Sequence, residues 1–451
     1  MTGIFAREAL LPTGWASNVR VTFERGAIVS IEHNASPAQA DERAAILLPA
    51  MPNLHSHAFQ RGMAGLAETR GPGDDSFWSW REVMYRFALS MTPEQVEAVA
   101  AQLYMEMLEA GFGRVGEFHY LHHDRDGRPY ANIAEMGERI AAAASETGIG
   151  LTLLPVFYAH SGFGGLVPND GQRRFINDID SFSRLLEASR EAVAGLSDTI
   201  VGVAPHSLRA VTPDELATVT RMALSNPIHI HVAEQTREVD DCIAWSGVRP
   251  VEWLLANAPV GENWCLIHAT HMTDGETAAM AKSGAIAGLC PVTEANLGDG
   301  IFAGRAFLDQ GGRFGVGSDS NVLIGVADEL RQLEYSQRLL HRQRNVLAPP
   351  GGSNGRALFD AALVGGNQAL GGRPSGIAVG GAASLVSLAS GHPSLAGKSG
   401  DAILDAWIFA NGAKIDCVWV AGRKCVAEGR HFDHEAIAER FRKTMIALSA
   451  V

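Results

Sequence analysis

Two histidines, His55 and His57, stand one residue apart at the end of an apolar run that predicts a β-strand. Alternate side chains of a strand share a face, so both imidazoles point the same way. This geometry suits a metal ion. A lone H-x-H pair is weak evidence, however, because buried histidines that bond to backbone carbonyls are common. The pair predicts a metal site only if further ligands converge on it.

Three more potential ligands stand at the ends of later predicted strands. His231 ends the fifth strand, His268 the sixth and Asp319 the eighth. Together with the H-x-H pair they place five hard or borderline ligands at one end of a sheet, and chance convergence of that kind is improbable. His229 shares the inward face with His231 but lies one layer deeper, so we expect it to pack in the core.

The elements that must position these residues alternate between apolar runs and helical patterns, which is typical of a parallel βαβ sheet. The predicted strands are 46–57, 114–120, 151–158, 200–206, 228–233, 264–269, 285–291 and 313–319. Thr92 and Thr212 each open a helix with a proline and a capping-box acceptor. Eight strands with crossover helices predict a (β/α)₈ TIM-type barrel, whose active site lies at the carboxyl ends of the strands.

The two ends of the chain show short strands and turns with little helical periodicity. Residues 1–48 and 375–430 are each too small to fold well alone. We expect them to pair into one small β-sandwich domain beside a barrel over 49–374, followed by a terminal helix within 431–451. The predicted fold class is therefore α/β with a β-sandwich appendage.

Composition excludes several classes of protein. The chain has 451 residues, 46% hydrophobic, so it is neither disordered nor fibrous. Its 37 Lys and Arg against 50 Asp and Glu give a net charge of -13, which disfavours nucleic acid and membrane surfaces as partners. Five scattered cysteines without a C-x-x-C pair argue against disulfides and thiolate metal sites. No apolar run approaches the roughly 20 residues of a membrane span. We expect a cytoplasmic homodimer that acts on a small molecule.

The order of these residues resembles the amidohydrolase superfamily of metal-dependent hydrolases, from His55 to Asp319 and into the flanking β segments. The resemblance implies four metal ligands and an assisting His268; the ligands are His55, His57, His231 and Asp319. Members with two metals bridge them through a carboxylated lysine at the end of the third or fourth strand, where this chain has Tyr158 and His206. We therefore expect one metal ion per chain. Zn²⁺ suits this N/O ligand set best, and Fe²⁺ is a weaker alternative.

The spacing from His231 to Glu234 resembles the deaminase branch of that superfamily. A deaminase adds hydroxide to a C=N carbon and protonates the departing nitrogen, which requires a carboxyl group that shuttles protons. The resemblance implies Glu234, His268 and Asp319 as catalytic groups. Asp319 accepts a proton from water, whose pKa Zn²⁺ lowers to about 7, and His268 stabilises developing charge. Alternatively, Glu234 is a solvated carboxylate at the start of a helix.

Six further segments narrow the resemblance; they are residues 51–61, 76–81, 117–120, 205–209, 293–300 and 317–320. Together they resemble, nearly end to end, the superfamily members that hydrolyse N-formimino-L-glutamate to N-formyl-L-glutamate and ammonia in histidine degradation. The resemblance implies the same reaction for this chain.

The substrate of that reaction carries an amidine and two carboxylates, so an acidic protein needs local cations to bind it. We predict Arg81 and Arg209 in loops on the catalytic face, since a guanidinium binds a carboxylate bidentately. The other predicted substrate-binding residues are Gln60, Tyr120, His206 and Ser320. A surface ion pair is an equally plausible role for each arginine, and Arg61 competes with both. Trp78 and Trp80 could form a lid or pack in the core.

Two residues depart from the pattern of the resembling family. Asn321 stands where a histidine is expected, so the resemblance does not predict the detailed contacts of the eighth loop. Ser384 replaces an aspartate in the β domain. Two other functions also stay open: deamination of a purine or pyrimidine ring, and a non-catalytic scaffold. A ring substrate would not need paired arginines, and a scaffold predicts missing ligands.

Overall fold

The structure, a computed structural model, describes residues 2–70, 76–410 and 413–449. The strands in these ranges are β1 (Thr2–Leu11), β2 (Gly14–Glu24), β3 (Ala27–Glu32), β4 (Glu42–Pro49), β5 (Met51–Ser56), β6 (Phe112–His119), β7 (Gly150–Phe157), β8 (Thr199–Val201), β9 (Ala204–Pro205), β10 (Ile228–Val232), β11 (Trp264–His268), β12 (Ile286–Leu289), β13 (Arg313–Val316), β14 (Leu385–Leu388), β15 (Ile415–Val420), β16 (Arg423–Ala427) and β17 (Arg430–His431).

The helices in the same ranges connect and cover these strands. They are α1 (Phe77–Ser90), α2 (Pro93–Glu109), α3 (Glu135–Thr147), α4 (Ile179–Val193), α5 (Pro213–Met222), α6 (Thr236–Ser246), α7 (Pro250–Asn257), α8 (Asp274–Ser283), α9 (Pro291–Leu297), α10 (Gly304–Asp309), α11 (Val326–His341), α12 (Asn354–Leu370), α13 (Asp401–Phe409) and α14 (His434–Ser449). Short 3₁₀ turns add Ala58–Met63, Asp170–Gln172 and Pro393–Leu395. No described helix combines the length and apolarity that a bilayer crossing would need.

Parallel strands form a closed barrel around the central core. One run pairs β5, β6, β7 and β8, with β9 also on β7, and a second pairs β10 to β13. Parallel bridges join Val203 to Ile228 and Ser56 to Asp319, which closes the ring. The predicted (β/α)₈ barrel is therefore confirmed. The carboxyl ends of the described barrel strands, β5 to β13, all lie at the same mouth of the barrel.

Two of the predicted strands are divided in the structure. The predicted strand 46–57 splits at Ala50, because β4 pairs with β1 and β14 outside the barrel whereas β5 pairs with β6 inside it. The predicted strand 200–206 breaks between β8 and β9. A side chain at Gly202 would lie 2.4 Å from the Pro227 carbonyl oxygen, so the two backbones approach each other closely at this break.

The chain ends build a second sheet, in the order β17, β16, β15, β14, β4, β1, β2, β3. This sheet folds over on itself, because Gly422 after β15 lies against Phe23 of β2, and Ala421 lies against Gly26. Buried side chains of both halves, including Trp419, form a small separate core. The predicted β-sandwich built from both ends of the chain is confirmed.

The segment 375–430 also contains a helix, α13, which sequence periodicity did not predict. Ile403, Leu404, Trp407 and Ile408 are all buried, and the Trp407 ring lies 6.1 Å from the Phe359 ring of α12. A helix that is apolar on most sides lacks the polar stripe that reveals an amphipathic helix. The prediction of little helix in this segment was therefore wrong.

Capping residues start the helices where the sequence predicts them. At α2 the Thr92 hydroxyl accepts from the Gln95 backbone nitrogen at 3.3 Å, and Gln95 Oε1 accepts from the Thr92 backbone nitrogen at 2.9 Å. Thr212 and Glu215 make the same reciprocal pair at α5. Each pair satisfies amide groups that the first helical turn leaves free.

We predict that Gly365→Ala destabilises the barrel. A Cβ at this position of α12 would lie 1.9 Å from the Phe314 carbonyl oxygen of β13, so helix and strand must separate. Such overpacking costs about 1–3 kcal/mol or more, measured as the free energy of unfolding in urea. Gly275→Ala in α8 is the matched control, because its nearest neighbour would be 3.9 Å away. A Gly365→Ala protein as stable as this control would contradict the prediction.

Candidate metal centre and active site

Four side chains at the barrel mouth converge on one point, as the sequence predicts. Asp319 Oδ1 lies 3.4 Å from His55 Nε2 and 3.2 Å from His57 Nε2. His231 Nε2 lies 3.1 Å from His55 Nε2. One potential ligand atom of each residue lies within 4.8 Å of all the others, and all four residues are buried.

The hydrogen bonds of the histidine rings show that this group suits a cation. The Nδ1 atoms of His57 and His231 face the carbonyl oxygens of Phe118 and His206, at 2.9 and 3.1 Å. A carbonyl only accepts, so each Nδ1 carries a proton and each Nε2 is the ring nitrogen that faces the other members of the group. Burial lowers the pKa of His55 to about 3 and that of His231 well below its usual value, so these rings are neutral. Neutral nitrogens and a carboxylate facing each other are the donor set of a divalent ion.

The backbone beneath the site is held in a sparsely populated conformation. Ala233, His268, Ala269 and Asp319 all have positive φ angles, of 51°, 68°, 47° and 46°. Non-glycine residues in this region cost of order 1–3 kcal/mol each and persist only when their surroundings fix them. These conformations therefore lower the stability of the barrel, and they orient the residues that follow its strands.

Asn321 holds the eighth loop in place through its side chain, a role that the sequence did not predict. Its side-chain NH₂ donates to the carbonyl oxygens of Asp319 at 2.8 Å and His57 at 3.1 Å. Its oxygen accepts from the Ser318 hydroxyl at 2.6 Å. Asn321 thus joins the loop that carries Asp319 to the end of β5.

Glu117 performs a similar task that sequence reasoning missed. Its carboxylate accepts from the Ala58 backbone nitrogen at 2.7 Å and from the Tyr104 hydroxyl at 3.1 Å. Burial raises the pKa of Glu117 to about 7. It anchors the turn that follows the H-x-H pair. Its only sequence signal was its place in the segment 117–120.

Glu234 and His268 lie beside the ligand group. His268 Nε2 is 3.8 Å from Glu234 Oε1 and 3.7 Å from Asp319 Oδ2. Glu234 is 4% exposed, so the alternative of a solvated helix-start carboxylate is wrong. Burial raises the pKa of Glu234 to about 7, although His268 and Arg209 act in the opposite direction. Burial lowers the pKa of His268, but Glu234 and other carboxylates outweigh it and raise that pKa to about 10.

A small, partly open cavity lies above this group. Its walls include five of the predicted substrate-binding residues: Gln60, Arg81, Tyr120, His206 and Arg209. Ser320 is not among the described residues that line the cavity. Its hydroxyl instead lies 3.0 Å from the hydroxyl of Thr293. A substrate contact for Ser320 stays a prediction. His229 packs below the site, with Nε2 2.8 Å from the Ala369 carbonyl oxygen, as its core assignment requires.

Both predicted arginines line the cavity, Arg209 from the turn after β9 as expected and Arg81 from a helix. Arg81 lies on α1 rather than in a loop, and its guanidinium stacks 4.6 Å from the Trp78 ring. Arg209 is 8% exposed, with its guanidinium 5.8 Å from the same ring. Arg209 Nε is buried and has no hydrogen-bond partner among the described residues. Trp80 lines the cavity, whereas Trp78 stacks with the arginines.

Arg61, the third arginine considered for substrate binding, makes its contacts outside the cavity. Its Nη1 donates to the Asn321 carbonyl at 2.9 Å, and its Nε lies 2.7 Å from Glu106 Oε2. Arg61 is absent from the described lining of the cavity. It therefore supports the eighth loop from outside.

Sequence reasoning missed several other cavity walls. Tyr85 and Met84 project from α1, and Phe175 and Leu297 come from loops or helix ends without a chemical motif. Apolar and aromatic residues at helical spacing look like core residues in a sequence. Only their positions around the cavity distinguish them.

Comparisons with known proteins agree with this geometry. The model of the amidohydrolase family matches residues 46–425, and that described as "Formimidoylglutamate deiminase HutF, N-terminal domain" matches residues 1–45. Formimidoylglutamate deiminase of Pseudomonas aeruginosa is 53% identical over 445 residues, which cover 98% of each chain.

Two solved structures share the fold over the whole chain. An amidohydrolase from Brucella melitensis is 62% identical, with a TM-score of 0.97 and complete coverage of both chains. An adenosine deaminase from Xanthomonas campestris with bound zinc is 21% identical, with a TM-score of 0.82 and coverage of 100% and 99%. The second likeness concerns the fold alone. The family model and the 53% identical relative go further: this chain belongs to the amidohydrolase family and, within it, to the formimidoylglutamate deiminases.

Proposed function

We propose that this enzyme hydrolyses N-formimino-L-glutamate to N-formyl-L-glutamate and ammonia, a reaction of histidine degradation. The observation that carries the proposal is one cavity with a His/Asp group at its base and two arginines, Arg81 and Arg209, on its walls. The 53% identity to a formimidoylglutamate deiminase supports the same reaction. A purine or pyrimidine ring, the alternative substrate, has no carboxylates for these arginines.

We propose one Zn²⁺ per chain, held by His55, His57, His231 and Asp319. The ion would lower the pKa of a water molecule to about 7 and so supply a nucleophile near neutral pH. The third and fourth barrel strands are followed by Tyr158 and His206 rather than by lysine, so a bridge to a second ion has no donor. A mononuclear site is what this ligand set supports.

The neighbouring acid–base groups divide the proton transfers. Asp319 turns Oδ1 to His55 and His57 and Oδ2 to His268, so Oδ2 is the oxygen placed to accept a proton from the attacking water. Water oxygen bonds to the formimino carbon, both water protons pass in turn to the terminal nitrogen, and its bond to carbon breaks to release NH₃ and leave a formyl C=O. Glu234, with a pKa of about 7, is suited to carry the proton to the departing nitrogen. The positive charge of His268 stabilises the negative charge that develops on the oxygen.

The cavity walls are suited to the dicarboxylate part of the substrate. Arg209 Nε lacks a partner among the described residues, so a substrate carboxylate would satisfy a buried donor that is costly to leave unpaired. Gln60 Nε2 donates to the Tyr120 hydroxyl at 2.9 Å, which fixes two further polar groups at the wall. Burial and nearby Arg209 hold the pKa of His206 well below its usual value, so a neutral ring faces the substrate.

We also propose a cytoplasmic location and a homodimer. All five cysteines are buried and unpaired, which suits a reducing compartment. Helix α11 exposes Leu339 and Leu340 at 79% and 51%, an apolar surface of the kind that subunit contacts cover.

We predict about one zinc ion per chain by elemental analysis of the purified protein. His57→Ala removes one ligand and should lose most of the metal together with activity, because three remaining ligands hold zinc weakly. His160→Ala is the control: this histidine pairs with Glu215 outside the site and its loss should leave the metal in place. Two tightly held ions per chain, or full metal in His57→Ala, would contradict the assignment.

Glu234→Gln should retain the metal but lose turnover. An amide fills the space of the carboxyl group but cannot shuttle a proton, and general acid–base groups contribute roughly 10²- to 10⁴-fold. The measurement is kcat for ammonia release alongside zinc content. A near-normal kcat would mean that Glu234 does not transfer the proton.

Arg209→Met should lower kcat/KM for formiminoglutamate selectively. Removing one partner of a desolvated charge pair costs roughly 2 to 5 kcal/mol, or about 30- to 5,000-fold. Turnover of formamidine, a poor neutral amidine substrate, should fall much less, because Arg209 affects it only through Glu234, whose Oε2 lies 4.0 Å from Arg209 Nη2 and whose pKa Arg209 lowers. Arg237→Met is the matched control, because Arg237 stacks on Trp78 at 4.8 Å but is absent from the described cavity lining.

Equal losses on both substrates would make Arg209 a structural residue. Arg81→Met provides a second test, and the double variant should fall further if the two arginines bind different carboxylates. A wild-type enzyme that prefers guanine or another ring would favour the alternative function.

A further inference from the structure

The two ring nitrogens of His268 face different surroundings. Nε2 faces the reacting groups, 3.8 Å from Glu234 Oε1 and 3.7 Å from Asp319 Oδ2. Nδ1 points away from them and lies 3.2 Å from Glu294 Oε1. His268 and Glu294 are both buried, so little water is present to replace this contact.

The backbone of His268 does not fix its ring unaided. The residue has φ 68°, followed by φ 47° at Ala269, in the left-handed region that non-glycine residues rarely occupy. Such a conformation persists only when neighbouring groups determine it. The ring stacks against that of His231, with centroids 5.6 Å apart and planes 14° apart, but stacking alone does not exclude the flipped ring. The Glu294 hydrogen bond does, because Nδ1–H donates to the carboxylate whereas a flip would place the Cδ2–H group there instead.

Glu294 is itself held rigidly. It lies in the first turn of α9, and the same Oε1 atom accepts from the Cys290 backbone nitrogen at 2.8 Å. Its carboxylate oxygen therefore has a fixed position relative to the start of the helix. A second carboxylate, that of Glu329, accepts from the Val292 nitrogen of this helix at 3.0 Å, and no described contact joins it to His268.

We propose that Glu294 is a positioning residue for the reaction. It accepts the Nδ1 hydrogen bond of His268 and so keeps Nε2 aimed at the reacting atoms. This inference rests on the proposed deimination, in which His268 acts through Nε2. His268, Cys290 and Glu294 also form a group whose ligand atoms lie within 4.8 Å of each other, but two hydrogen bonds already account for that proximity.

The test compares Glu294→Leu with Glu294→Gln in the zinc-loaded enzyme. Leucine offers no acceptor, so the His268 ring loses its orientation. We expect kcat to fall on the order of 10- to 100-fold, the range for groups that orient a functional histidine, with KM and zinc content unchanged. Glutamine keeps an oxygen that can accept from both Cys290 N and His268 Nδ1, and should restore most of kcat. A Gln variant as slow as the Leu variant would overturn the proposal.

Glu329→Leu separates positioning from loss of helix stability. It removes a buried carboxylate from the start of the same helix without touching His268. Both Leu variants should lower the melting temperature, but only Glu294→Leu should lower kcat strongly. Equal losses of kcat in the two variants would show that Glu294 acts only through the stability of α9.

An NMR measurement tests the contact without using activity. In protein labelled with ¹⁵N-histidine, the Nδ1 proton of His268 should resonate far downfield, and its signal is assigned by its loss in His268→Gln. It should persist in Glu294→Gln and Glu329→Leu and disappear in Glu294→Leu. Persistence in Glu294→Leu would overturn the proposal, as would a second zinc ion in the wild type that the Leu variant loses. Failure of the wild type to deiminate formiminoglutamate would refute the proposed function, while this spectrum would still report on the contact.

Discussion

The mutual repulsion of buried acceptors at the barrel mouth is the constraint that the surrounding structure must oppose. Three imidazole nitrogens and a carboxylate face each other within 4.8 Å, with little water to screen them. Buried polar groups this close keep their positions only if the backbone that carries them is fixed. The backbone is fixed where the barrel closes: His57 N donates to the Asp319 carbonyl at 3.1 Å, and Asp319 N donates to the His55 carbonyl at 3.0 Å. The closing seam of the barrel therefore joins the segments that carry His55, His57 and Asp319, so the closed fold and the geometry of the candidate metal site depend on each other.

Around this seam, buried polar side chains replace water as hydrogen-bond partners. Asn53 donates to Ser318 at 2.7 Å, Ser318 donates to Asn321, and Asn321 donates to the backbone of both ligand segments. A network of this kind rigidifies its surroundings only when each member is paired. The positive φ angle of Asp319 is thus maintained by the bonds around it rather than by its own sequence.

Burial also separates the proton affinities of adjacent groups. Glu234 and His268 share one environment, yet desolvation raises the pKa of the carboxyl group to about 7 while the carboxylates around the imidazole raise its pKa to about 10. A neutral pH therefore leaves one group able to exchange a proton and the other charged. Further from the centre, the Trp78 ring lies among the guanidinium groups of Arg81, Arg209 and Arg237, and its π face helps like charges to coexist. The titratable groups at the base of the cavity are thus separate from the cationic groups on its walls.

The sequence by itself determined the barrel, the terminal β-sandwich and the residues that meet at the mouth. Periodicity and capping are local, so strands and helices such as α2 and α5 could be predicted from neighbouring residues, and a resemblance over ordered motifs supplied the candidate metal ligands. Only the tertiary structure decided the features that depend on contacts between residues distant in the sequence. These features are the split of the predicted strand 46–57, the apolar helix α13, the position of Arg81 on a helix, and the contacts that keep Arg61 out of the cavity lining. The tasks of Glu117, Glu294 and Asn321 belong to the same class. A buried carboxyl or amide has no sequence signature of its own, because its role is set by the donor that folding brings against it.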